Sequence, residues 1–124
     1  MSAIRVAIAG SSGSIGTQTL DVVRAINAQG GDAEVVALGV GSSIDVLVEQ
    51  ALEFRPKVVA VADAARRAEV ADRLPFADVV ADFADLVEPA DVVVNAVVGF
   101  AGLPVTLRTL EQGKRLALAN KESL

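Results

Sequence analysis

The apolar residues of this chain change period again and again: short runs of Val, Ile, Leu and Ala alternate with longer stretches in which apolar side chains recur every three to four residues. A short run that is apolar on both faces suits a parallel strand covered from both sides, and the longer period suits the helix that covers it. The pattern predicts strands at residues 4–9, 34–40, 58–62, 78–80, 91–96 and 115–118. Helices are predicted between them at 14–28, 43–54, 63–74, 84–87 and 103–112, with Pro104 in the first turn of the last and Gly113 just past its end. Parallel neighbours need crossover connections, so this order specifies an α/β fold, a Rossmann-like, doubly wound and mostly parallel sheet with helices on both faces. Sandwiches and helical bundles are excluded. No repeat, linker or low-complexity tract divides the sequence, and residues 1–124 are expected to form a single domain.

Composition narrows the chemistry. Eleven basic and sixteen acidic side chains give a net charge of −5, and 52% of the residues are hydrophobic, so the chain can bury a core and is not a disordered polymer. The negative charge and scattered basic residues offer no attraction to phosphate backbones or anionic lipid, so neither nucleic acid nor membrane is an expected partner. There is no Cys and no His. Disulfides, thiolate metal sites, thiol nucleophiles and imidazole bases are therefore excluded within it. The apolar runs fall well short of the roughly 20 residues of a membrane span, and the first residues lack a charged region leading into a long apolar one. A cytoplasmic, cofactor-using or binding domain is expected.

The first predicted strand runs into Gly10-Ser11-Ser12-Gly13-Ser14-Ile15-Gly16 and then into an amphipathic helix. This order of strand, glycine turn and helix is that of a dinucleotide-binding loop. Gly10 permits the tight turn, Gly13 lets the backbone approach a pyrophosphate, and Gly16 lets the helix pack closely, while the helix N-terminus presents N–H groups and a partial positive charge. The spacing is G-x-x-G-x-x-G, a variant of G-x-G-x-x-G.

At the tip of the second strand the chain reads Leu38-Gly39-Val40-Gly41-Ser42-Ser43. An acidic residue there would bond a ribose 2′-OH and repel a 2′-phosphate. None is present, and Gly41, Ser42 and Ser43 offer backbone N–H groups and hydroxyls that suit a phosphate, so NADP(H) is favoured over NAD(H). A plain alternative is that Ser42 or Ser43 caps the next helix. Two further strand ends reach the same edge. Residues 95–102 form a small-residue loop, either beside a nicotinamide ring or merely a close-packed turn. Residues 120–123, Asn-Lys-Glu-Ser, are a polar cluster where ligands of parallel sheets bind.

The run from Gly10 through Val23, the segment Val97-Val98-Gly99-Phe100-Ala101-Gly102-Leu103-Pro104-Val105-Thr106, and the closing Leu118-Ala119-Asn120-Lys121-Glu122-Ser123-Leu124 closely resemble 1-deoxy-D-xylulose 5-phosphate reductoisomerases. The resemblance covers essentially the whole chain and implies an NADPH-binding amino-terminal domain. The family's enzyme rearranges 1-deoxy-D-xylulose 5-phosphate and reduces the resulting aldehyde to 2-C-methyl-D-erythritol 4-phosphate, on the methylerythritol phosphate route to isoprenoids. By motif, Ser12, Gly13, Ser14 and Ile15 fall on the family's pyrophosphate loop and Gly41, Ser42 and Ser43 on its 2′-phosphate turn. Asn120 and Glu122 match cofactor-contacting positions, and Lys121 matches the lysine that touches the sugar phosphate substrate.

Two departures follow from the same resemblance. Some members carry Lys-Asn where this chain has Ser42-Ser43. The family's divalent-metal site, for Mg²⁺ or Mn²⁺, is a carboxylate cluster beyond residue 124, so no catalytic residue or metal ligand is assigned here. The chain is expected to be a fragment ending before the catalytic metal-binding domain, inactive alone, from a homodimeric parent. A stand-alone, non-catalytic NADP-binding module is the alternative. A semialdehyde dehydrogenase has a similar glycine loop but needs a nucleophilic Cys that is absent.

Overall fold

The computed structural model of the chain describes residues 3–118. Asn120, Lys121 and Glu122 lie outside them. The elements follow the expected alternation: β1 (Ile4–Ala9), α1 (Ser14–Ala28), β2 (Ala33–Val40), α2 (Ile44–Phe54), β3 (Val58–Val61), α3 (Arg67–Arg73), β4 (Asp78–Val80), β5 (Val92–Asn95), α4 (Leu103–Glu111) and β6 (Arg115–Leu118). All five strand pairings are parallel, and the sheet order is β4-β3-β2-β1-β5-β6. The order of strands reverses between β1 and β5, the switch point at which open α/β sheets bind ligands beyond their carboxyl ends.

Each face of the sheet has its own core. On one, Ile8, Val35, Leu38, Val40, Val59 and Val61 meet Leu20 and Val23 of α1, Ile44, Leu47, Val48 and Ala51 of α2, and Val70 of α3. On the other, Ala7, Ala9, Ala37, Ala60 and Val93 meet Leu86, Val87 and Val105 of α4. Small side chains dominate the second face because a tight 3₁₀ turn lies on it. Full burial of a Val or Leu contributes about 1.5–3 kcal/mol, so the apolar runs that specified the strands also hold them.

Three segments are wound more tightly than the periodicity predicts. Residues 63–74 divide into a 3₁₀ turn at Ala64–Arg66 and the shorter α3, because the Asp63 carboxylate accepts from the Ala65 N–H and Arg67 donates back to the carbonyls of Val61 and Ala62. The four-residue helix expected at 84–87 is a 3₁₀ turn at Phe83–Leu86, too short for an α-helical ladder and stopped by Pro89. A third 3₁₀ turn, Gly99–Gly102, leads into α4. At the other end of α4, Gly113 adopts φ +65°, its N–H bonds the Leu110 carbonyl, and the Lys114 N–H bonds that of Thr109. This is the left-handed helix stop that its position predicts.

Candidate functional site

The glycine loop lies at the switch point, held from three sides. The N–H groups of Gly10 and Ser11 both donate to the Gly39 carbonyl of β2 at 2.9 Å, the Ala96 N–H donates to Ala9 at 2.8 Å, and Gln50 of α2 reaches the Ser11 carbonyl at 2.9 Å. The three glycines then do three different things. Gly10 sits at φ +83°, and a Cβ there would stand 2.8 Å from the Ala96 carbonyl oxygen. At Gly16 a Cβ would collide with the backbone of Gly10 and Ser11, so this residue brings α1 onto the loop. Gly13 is exposed, and its Cβ would meet nothing nearer than the Gly10 carbonyl oxygen at 3.8 Å. The loop is open where a pyrophosphate needs room and closed where the fold needs contact.

Gly13 is also the N-cap of α1 and supplies no capping side chain, so the first-turn N–H groups are left without the hydroxyl or carboxylate that usually accepts from them. Ser14 and Ile15 are exposed in this turn, and Ser12 is half-buried just before it. The Ser14 hydroxyl accepts from the Gln18 side chain at 2.9 Å, a bond that does not use its own proton as a donor. The result is a concentration of hydrogen-bond donors with the positive end of a helix dipole behind it, the environment that an anion requires.

The turn at residues 41–43 lies on the same carboxyl edge. All three residues are exposed, and a Cβ on Gly41 would meet nothing within 4 Å. Ser43 occupies the N-cap position of α2 but makes no side-chain capping bond, and the Ser42 carbonyl accepts from Ile44. The two hydroxyls are thus not consumed by capping the helix. Beside this turn, the N–H groups of Ala62 and Asp63 bond the carbonyls of Val40 and Gly41, placing the 3₁₀ turn at Ala64–Arg66 next to it. The Arg66 guanidinium there bonds Glu69, and that bond, with the charges of Asp45 and Asp63, raises its pKa.

At the end of β5, Asn95 is fully buried and spends its side chain on the loop itself. It donates to the Gly102 carbonyl and the Thr106 hydroxyl and accepts from the Val97 N–H. Asn95 is a loop-building residue, and the large exposed side chains of this segment are Val98 and Phe100, at 81% and 79% exposure. The site residues that the sequence indicated within the described chain, Gly10, Ser12, Gly13, Ser14, Ile15, Gly41, Ser42 and Ser43, share one edge. Gln50 was not among them; its signal was a lone neutral amide on the buried stripe of α2 formed by Ile44, Leu47, Val48 and Ala51.

The model of the 1-deoxy-D-xylulose 5-phosphate reductoisomerase family matches residues 6–124. The chain belongs to this family. Among curated relatives bearing the family's name, that of Agathobacter rectalis is 39% identical over 127 residues, and that of Synechococcus sp. strain CC9605 is 43% identical over 132. They cover 97% and 96% of this chain, which in turn spans about a third of their length (32% and 31%). The fold is likewise that of solved reductoisomerases. A crystal structure of one in complex with NADPH, fosmidomycin and magnesium is 32% identical, with a TM-score of 0.88, and covers 98% of this chain and 31% of its own. The Zymomonas mobilis reductoisomerase in complex with NADPH is 31% identical with a TM-score of 0.84, covering 99% of this chain and 33% of its own.

Proposed function

We propose that this chain is the NADPH-binding domain of a reductoisomerase that converts 1-deoxy-D-xylulose 5-phosphate to 2-C-methyl-D-erythritol 4-phosphate. The observation that carries the reading is the exposed, uncapped turn at Gly13. It has space for a pyrophosphate, first-turn N–H groups to bind it, and two neighbouring glycines that only a close-packed loop requires. Relatives of the same family that bind NADPH share the fold over nearly all of the chain.

In this reading Ser12, Gly13, Ser14 and Ile15 hold the pyrophosphate through backbone N–H groups and the Ser14 hydroxyl. Gly41, Ser42 and Ser43 hold the 2′-phosphate. Asn120 and Glu122 orient the cofactor, and Lys121 presents a point charge to the sugar phosphate. When bound, NADPH supplies the hydride that reduces the rearranged aldehyde. Mg²⁺ or Mn²⁺ polarises the substrate in the parent enzyme, a proposed cytoplasmic homodimer, with ligands drawn from outside this chain. A group of three or more acidic side chains able to hold a metal does not occur among the described residues.

Nucleotide titration of the full natural chain tests the reading. NADPH should bind more tightly than NADH, because the β2 tip carries no carboxylate to repel the extra phosphate, and Ser42→Asp should reverse the order through such a charge. NADH binding as tightly as NADPH to the unaltered protein would overturn it.

A further inference from the structure

We infer that Gln50 is a positioning residue for the cofactor: its side-chain amide sets the direction of the Ser11–Ser12 peptide and thereby aims the Ser12 N–H into the pyrophosphate cradle. The inference deepens the NADPH-binding reading and rests on it. Gln50 is only 7% exposed, on a helix whose other inward residues are apolar, and its Nε2 donates to the Ser11 carbonyl across 39 positions of sequence. Burying an amide costs free energy that an aliphatic side chain of the same size does not incur, so its presence calls for a task that an aliphatic one cannot perform. The orientation of the amide follows from chemistry, since a carbonyl oxygen facing the Ser11 oxygen would repel it.

The geometry defines that task. A trans peptide is planar, so the Ser11 carbonyl and the Ser12 N–H point in opposite directions. With the carbonyl drawn inward to α2, the N–H is turned to the opposite side of the peptide, where Gly13 and the α1 N-terminus are exposed. The Ser11 N–H is already fixed on Gly39, which leaves the peptide that follows it as the free plane of the turn. Without Gln50, the buried Ser11 carbonyl loses its partner. Rotating that plane is the direct way for it to find another, and the rotation carries the Ser12 N–H out of the cradle.

Gln50→Met conserves volume and removes the donor. In the full natural chain, NADPH should bind this variant about tenfold more weakly, which corresponds to about 1.4 kcal/mol. Adenosine 2′-monophosphate, which carries the 2′-phosphate but no pyrophosphate, should bind within about twofold of the unaltered protein, a margin of roughly 0.4 kcal/mol. A purely structural Gln50 would weaken both ligands together or neither, and either result overturns the inference. Should the variant fail to fold, selective ¹⁵N labelling of glutamine in the unaltered protein decides instead. The Gln50 carboxamide protons should exchange slowly with solvent and more slowly still with NADPH bound, and exchange unaffected by NADPH would overturn the inference. Failure of the unaltered protein to bind NADPH at all would overturn the functional reading itself, an outcome distinct from these.

Discussion

Three glycines spaced by two residues look alike in a sequence, yet their surroundings make opposite predictions. Gly13 has ordinary extended dihedrals, φ −79° and ψ 178°, and open space at its Cβ position, so the fold accepts a side chain there. Gly13→Val should leave thermal stability nearly unchanged and weaken NADPH and NADH alike by tenfold or more, on the order of 1.4 kcal/mol, in a fluorescence titration. Gly16→Ala should behave in the opposite sense. Its Cβ meets backbone atoms that cannot swing aside, and overpacking of this kind costs about 1–3 kcal/mol, visible as a lower midpoint in denaturant unfolding. If Gly13→Val unfolded the protein while Gly16→Ala did not, the assignment of roles within the loop would be wrong. The glycine pattern made these residues legible because only backbone freedom and close approach demand it. Gln50 was not legible, since its role depends on a contact between α2 and the loop that no local period encodes.

At the scale of elements, strands were read well because a parallel sheet covered on both faces leaves an unbroken apolar run. The shorter helical segments were read less well. At residues 63–74 the Asp63 cap and the back-bonding of Arg67 settle the first turn as 3₁₀, a competition between side chain and backbone that hydrophobic spacing does not register. Ion pairing between elements was equally hidden. Arg5 of β1 meets Asp91, just before β5, through Nε and Nη2, and the Arg5 N–H also donates to that carboxylate, joining the amino ends of two neighbouring strands. The hydrogen bond from the Arg5 side chain, its N–H and its charge hold the Asp91 carboxyl below its ordinary pKa. A carboxyl depressed in the folded state adds stability above its unfolded pKa of about 3.9 and loses it as pH falls through the folded value. Asp91→Asn keeps an acceptor for the N–H but no charge, so its melting temperature should lie slightly below the unaltered protein's at neutral pH. The two curves should converge as pH falls through and below the depressed folded pKa of Asp91. Both side chains are about half exposed, so the effect is modest and should shrink further in high salt. Parallel melting curves down to acid pH would show that the pair contributes nothing.

Over the whole molecule, the two ends of the sheet carry different duties. The amino end gathers Arg5, Asp91, Lys114 and Arg115 around an open depression of about 650 Å³, but its groups serve the fold: Arg5 pairs with Asp91, and Lys114 caps the carbonyls of Val87 and Glu88. The carboxyl end gathers the donors that suit an anionic cofactor. This division predicts what a polypeptide of residues 1–124 does by itself: no conversion of 1-deoxy-D-xylulose 5-phosphate, with Mg²⁺ or Mn²⁺ added. The rearrangement asks a metal to hold and polarise adjacent substrate oxygens, and such an ion takes several oxygen ligands converging on one point. Among the described residues no three acidic side chains stand together as such a group, and several are held by other partners. Asp21 and Glu53 hold Arg24, Asp45 and Glu69 hold Arg73, Asp91 holds Arg5, and Asp63 caps the turn that precedes α3. Exposed Leu107 and Leu110 on α4 and Leu118 on β6 should also make the isolated polypeptide prone to self-association, measurable by light scattering. Loss of NADPH absorbance on adding the sugar phosphate, dependent on metal and abolished by Lys121→Ala, would show that the chain carries a complete catalytic site.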